Sequence, residues 1–200
     1  MKAYRIPKIT HTISWDELNP LTDFSYPWQK EKAPMTTFNA YYDENHIHFR
    51  YDSWGPKPIV YVENNDKSEV IDSERIELFF RRDEKMQPYY CLEIDPNGRV
   101  LDYKANFYRE FDLDWVWPEP LDIQTNIEEG KYIVQGKLGI PVLKRLGLLK
   151  DGQIQIGLFR GHCIALKANK ASLKWISWVD SKTEEPDFHV PTAFGILILE

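Results

Sequence analysis

Apolar and polar residues alternate with period two along most of the chain, and helical periodicity is almost absent. "TTFNAYYD" (36–43) and "HIHFRYD" (46–52) read as strands joined by a short turn at Asp43, Glu44 and Asn45. "RIELFFRR" (75–82) and "PYYCLEID" (88–95) flank the polar connection "DEKMQ". "DPNG" (95–98) has Pro second and Gly fourth, a turn that leads into "RVLDYKAN" (99–106). "LDIQTNI" (121–127) and "KYIVQGKLGI" (131–140) enclose Glu128, Glu129 and Gly130, a hairpin signal. "GQIQIGLFRG" (152–161) and the terminal "AFGILIL" complete the strands. Only "PVLKRLG" (141–147) reads as helix, with Pro141 at its start and Gly147 past its end.

This order predicts an all-β fold, an antiparallel β-sandwich or jelly-roll-like arrangement with one short helix. No repeat, linker or low-complexity tract divides the chain, so residues 1–200 read as a single domain. Pro7, Pro20, Pro27 and Pro34 interrupt residues 1–35, which are expected to wrap the sandwich as irregular chain with one or two edge strands.

Composition narrows the function. A net charge of −6 without a basic cluster argues against nucleic acid, and every apolar stretch is too short to span a bilayer. The first residues carry Lys and Arg but no apolar run, so no signal peptide is read there. The compartment is cytoplasmic if Met1 is the native start, and extracellular or periplasmic if a signal peptide was removed. Cys91 and Cys163 are expected to be free thiols.

Several pieces occur in a recognisable succession. "IELFF" is followed by "YYCLEIDPNGRVLD", then "KLGIPVLKRLGL", "IGLFR", a Trp-rich segment and "DFHVPTAFGILIL". Over roughly residues 36–200 this order resembles the family 9-like carbohydrate-binding modules of the DOMON-like sandwich group. The resemblance implies a non-catalytic sandwich that binds an oligo- or polysaccharide such as xylan, with aromatic rings against the sugar and polar side chains reading its hydroxyls. It also admits structural calcium, for which the acids around Asp112 and Asp114 are the candidates; no other cofactor is expected. Two departures stand out. Lys137 replaces an acid often found before the short helix, and no Trp precedes "IELFF".

The candidate ligand-binding residues are Trp54, Glu77, Glu93, Arg160, Trp175, Trp178 and His189. In "RIELFFRR", Ile76, Leu78 and Phe80 form one face; Arg75, Glu77, Phe79 and Arg81 form the other, either solvent-facing or the lining of a site. Glu93 shares a face with Tyr89 and Cys91, and pairing of the two strands puts both carboxylates on one side of the sheet. Carboxylates accept from hydroxyls and Arg160 donates in a planar fork. Trp54, Trp175 and Trp178 are the stacking candidates, while Trp15 and Trp28 are read as plugs and Trp115 and Trp117 as lying outside the core. His46 and His48 alternate on one strand face, but no third ligand is evident, so no zinc site is expected.

Three other readings compete with sugar binding. A carboxylate pair can process glycosides if correctly spaced. Met35 or Met86 with His189 are the candidates for the haem ligation found in some related sandwiches. A module whose sugar site has decayed, serving as an interaction surface, is the third.

Overall fold

Residues 1–200 are all described by the computed structural model. In chain order the strands are β1 (Ala3–Ile6), β2 (Thr36–Tyr42), β3 (His46–Trp54), β4 (Arg75–Arg81), β5 (Tyr89–Ile94), β6 (Val100–Asn106) and β7 (Glu110–Asp112). They continue as β8 (Asp122–Glu128), β9 (Lys131–Gly139), β10 (Leu149–Lys150), β11 (Gln153–Lys167), β12 (Lys170–Ser177) and β13 (Gly195–Leu199). A single six-residue helix, α1 (Ile140–Arg145), follows β9, and short 3-10 turns lie at Trp15–Glu17, Lys67–Asp72 and Pro191–Ala193.

The strands form two sheets, as an antiparallel sandwich requires. The larger runs β1-β13-β11-β4-β5-β6-β7, with β10 and β12 also paired to β11; the smaller runs β2-β3-β9-β8. Every pairing is antiparallel except β1 with β13, at one end of the larger sheet's strand order. The N-terminal segment thus supplies one edge strand, and bridges Leu21↔Phe38 and Ser25↔Ser177 tie the rest of it down. β11 is long enough to pair with β13 through its first residues and with β12 through its second half.

Ile76, Leu78 and Phe80 of β4 meet Phe49, Tyr51 and Val134 of the smaller sheet in the main core. The other face of β4 is not solvent. A second apolar layer covers it, built on Phe79, Tyr89, Tyr103 and Phe159 and closed by Phe188 and Phe194 from the chain before β13. Every residue of β4 is consequently buried, charged ones included. Charges spaced on a half-apolar strand read as exposed, yet long loops fold over them here.

Trp178 and Trp117 belong to the main core, at 1% and 4% exposure. For Trp117 this corrects the expectation that it lies outside. Its backbone N–H is anchored by Asp102 Oδ2 at 2.7 Å. Trp178 lies so close to β13 that a Cβ on Gly195 would meet its ring at 2.4 Å, so only glycine fits there. Both cysteines are free and buried.

Candidate functional site

The second apolar layer is incomplete, and the gap is a cavity of about 360 Å³ on the outer face of the larger sheet. Its floor comes from neighbouring strands: Arg75, Glu77 and Phe79 from β4, Glu93 from β5, Leu101 and Tyr103 from β6. Trp175 of β12, Phe188 and His189 form one part of the wall, and Arg109, Phe111 and Leu113 another. Apolar walls around a few convergent polar groups are the usual make-up of a small-molecule site.

Register fixes the floor. Glu77 lies directly opposite Glu93 in the β4–β5 pair, so both carboxylates rise on one side of the sheet. Arg75 Nε lies 2.9 Å from Glu77 Oε1 and 2.6 Å from Glu93 Oε2. Both contacts are within ion-pair distance but off the hydrogen-bonding direction, which leaves Arg75 Nε, Glu77 Oε1 and Glu93 Oε2 without an aligned partner. Leaving such buried atoms without an aligned partner is costly, and the three cluster on residues that line the cavity floor. Glu93 Oε1 accepts from the Tyr103 hydroxyl at 2.8 Å, and Arg75 Nη1 donates to the Ile71 carbonyl at 3.0 Å.

Burial, followed by the charge of Glu93, pushes the Glu77 carboxyl up to about 8, with Arg75 opposing. Glu77 is thus protonated at neutral pH, able to donate as well as accept. Burial, followed by the charge of Arg109, lowers the His189 imidazole to about 4, so its ring is neutral. Its Nδ1 is 2.8 Å from the Tyr89 hydroxyl, and it packs on Phe79 and Phe111 with ring centroids 5.2 Å away from each.

The walls are held by one clasp. Asp187 accepts from Arg109 Nη2 at 3.0 Å, from the His189 backbone N–H at 2.9 Å and from the Tyr108 hydroxyl. Trp175 stands at the edge of the cavity with the Arg75 guanidinium 5.1 Å from its ring centre and Phe188 packed against it edge-on.

Of the seven expected ligand-binding residues, the fold brings four together here: Glu77, Glu93, Trp175 and His189. Arg160 is elsewhere. It is opposite Ile76 in the β4–β11 register, so its side chain points between the sheets. There its Nε donates to Glu74 Oε1 at 2.7 Å and its Nη1 to Thr36 Oγ1 and the Trp54 carbonyl, both at 3.1 Å. Trp178 is core. Trp54 ends β3 rather than sitting in a loop, and its ring faces Lys131 Nζ at 5.6 Å, away from the cavity. Trp28, read as a plug, packs on Phe188 behind the site.

Arg75, Arg109, Phe111, Tyr103 and Asp187 were not anticipated. Arg75 carried a signal, its parity with Glu77 on β4. The others reach the cavity through loop packing that no periodicity reports.

Asp112 is engaged by Lys104 at 2.9 Å. The more oxygen-rich loop, with Glu69, Asp95 and the Tyr61 carbonyl, is filled by the Arg99 guanidinium, which contacts all three within 2.8 Å. Met86 is buried in the second apolar layer, and the Met35 carbonyl accepts from Arg160 Nη1 at 3.4 Å. No helix is long and apolar enough to cross a membrane.

Solved structures share this architecture. A candidate carbohydrate-binding protein from Bacteroides uniformis ATCC 8492 superposes with a TM-score of 0.73 at 15% identity, over 100% of this chain and 99% of its own. A family 9 carbohydrate-binding module from Caldicellulosiruptor kristjanssonii in complex with glucose gives 0.60 at 11% identity, over 100% and 96%. One from the same organism in complex with cellotriose gives 0.63 at 11%, over 100% and 94%. A search of curated proteins found no significant match. The model of the carbohydrate family 9 binding domain-like family matches residues 10–200, reaching well into the N-terminal wrapping segment, and the chain belongs to that family.

Proposed function

We propose that the protein is a non-catalytic carbohydrate-binding module whose saccharide site is the cavity over β4, β5 and β6. The supporting observation is the buried Arg75–Glu77–Glu93 ion cluster, in which three atoms lack an aligned hydrogen-bond partner, at the floor of an aromatic-walled hollow. A sugar ring has apolar C–H faces and a rim of hydroxyls that donate and accept. Trp175 and Phe111 offer surfaces for the faces; Glu93 accepts, the protonated Glu77 donates or accepts, and Arg75 donates. The Caldicellulosiruptor modules are in complex with glucose and cellotriose, ligands of the same class.

Turnover is disfavoured by the placement of the carboxylates. A glycosidase needs its acid and its nucleophile or base to reach the scissile bond from different directions. Glu77 and Glu93 instead stand side by side on one floor, drawn around a single Arg75 nitrogen.

Calorimetric titration tests the proposal. Glucose, cellotriose, xylose and xylobiose are titrated into the wild type, Glu77→Gln and Trp175→Ala, with product release assayed in parallel. Binding without product release, weakened in both variants, is expected. No heat with any sugar from folded protein identifies a decayed site, and binding that survives both substitutions moves the site elsewhere.

A further inference from the structure

The smaller sheet carries its own chemistry on its outward face, far in topology from the cavity. His46 and His48 stand two residues apart on β3 and share that face, which brings their rings to 6.0 Å between centroids. Sequence spacing supplied these two and no third. The fold adds Asp43, from the turn that joins β2 to β3.

The turn itself positions the carboxylate. Asp43 Oδ1 accepts from the backbone N–H groups of Asn45 and His46, each at 2.7 Å, the habit of an Asp that caps a tight turn. Its Oδ2 projects to 2.8 Å from His48 Nε2, and Oδ1 lies 3.8 Å from His46 Nδ1. One ligand atom from each of the three residues lies within 4.8 Å of the others. Tetrahedral Zn²⁺ with ligands at about 2.0–2.1 Å separates its donors by about 3.4 Å, so small rotations of two side chains close the site.

Two further features favour a cation there. The His48 ring is stacked on Tyr41, with centroids 4.4 Å apart and planes inclined by 6°, which holds one imidazole in place before any ion arrives. The amides that grip Asp43 Oδ1 leave Oδ2 directed at His48, as the outer shell of a metal ligand does. All three side chains are partly open to solvent, at 22–36% exposure, so an ion has a path in and a coordination position left for water. The nearby cation, Lys137, is paired with Asp122 at 2.9 Å.

We propose that Asp43, His46 and His48 form a surface site for a divalent transition metal of the Zn²⁺ type, with two imidazoles, one carboxylate and one open position. Imidazole and carboxylate donors suit zinc and its first-row neighbours better than calcium or magnesium, which prefer all-oxygen sets. The bound ion ties the β2–β3 turn to the strand and adds stability in proportion to its occupancy. The site is independent of the sugar cavity and stands whether or not that cavity binds.

The simpler alternative is an Asp43–His48 ion pair with His46 as a bystander, and His46 separates the two. Chelator-treated full-length protein, with any affinity tag removed, is titrated with Zn²⁺ at pH 7.5 by calorimetry and with Co²⁺ by visible absorption. One saturable site is expected, with d–d bands for Co²⁺. His46→Ala and His48→Ala should each weaken Zn²⁺ binding by at least about 10–100-fold, the scale on which even outer-shell partners act. Asp43→Asn keeps the oxygen that accepts the turn amides but removes the charge, and should weaken binding without unfolding the hairpin. Absence of saturable binding in the wild type overturns the proposal. So does a His46→Ala variant that binds as tightly as the wild type.

Discussion

Glu74 and Arg75 are neighbours in sequence, yet they anchor two buried ion clusters on opposite faces of the same sheet, and only one of these is finished. Between the sheets, Glu74 Oε1 accepts from Arg160 and from the Tyr132 hydroxyl at 3.0 Å, while Oε2 accepts from the Cys163 backbone at 2.6 Å and contacts His162 Nδ1 at 3.1 Å. Burial raises the Glu74 carboxyl, but His162 and Arg160 outweigh it and hold it below its ordinary range. On the outer face, Arg75 is shared by two glutamates with imperfect alignment, and Glu77 is driven the other way, toward the neutral acid. The completed cluster fastens the sandwich; the incomplete one lies under a cavity, which is why the sugar site is proposed there. Burial and residue type are the same in both, and satisfaction of the polar atoms tells them apart.

The largest way to break the comparison is at the completed cluster. Arg160→Ala leaves Glu74 buried without its cation and removes the ties to Thr36 and Trp54, at an expected cost of about 3–5 kcal/mol in denaturant unfolding. Sugar affinity of the protein that remains folded should not change. Arg160 acting as a ligand group would produce the reverse pattern.

Glu77→Gln sharpens the other side. Because the folded carboxyl lies at about 8 against an ordinary 4.5, its contribution to stability is fully present below about pH 4.5 and lost as pH rises through about 8. Unfolding midpoints across that window should decline in the wild type, and the glutamine variant should lack this part of the decline. At neutral pH the variant is expected to be at least as stable as the wild type, while sugar affinity falls by about 0.5–1.5 kcal/mol, the value of a hydrogen bond between neutral groups. Trp175→Ala should cost a comparable amount, about 0.5–1.5 kcal/mol of affinity beyond lost contact area.

Much of this fold can be read from alternation because most strands, though not β7 or β12, place one face in the main core. β12 escaped for a local reason. The turn that joins it to β11 is Ala168-Asn169, both at positive φ, the two-residue hairpin geometry that Asn-Gly usually announces and Ala conceals. The parity of β4 puts Glu77 on the outer face of the sheet, and the hairpin to β5 puts Glu93 opposite it. Arg160 follows the same rule: its parity with Ile156 and Leu158 directs it between the sheets, where Glu74 is its partner, and not into the cavity. The cavity walls were out of reach, since Arg109 and Asp187 meet across 78 residues of chain through loop packing alone. The same holds for Asp43, a turn residue whose approach to two strand histidines depends on how the turn closes.

The central claim is that sugar binds over β4–β6 and not within the core or on the smaller sheet. Seven Trp side chains are spread over these regions, and their indole N–H resonances can be followed by NMR during titration with cellotriose. The account predicts that the Trp175 resonance moves most, that those of Trp54 and Trp178 stay fixed, and that Trp15, on the outer face of the smaller sheet, does not respond. A saturable shift confined to Trp15, or to Trp54, would contradict it.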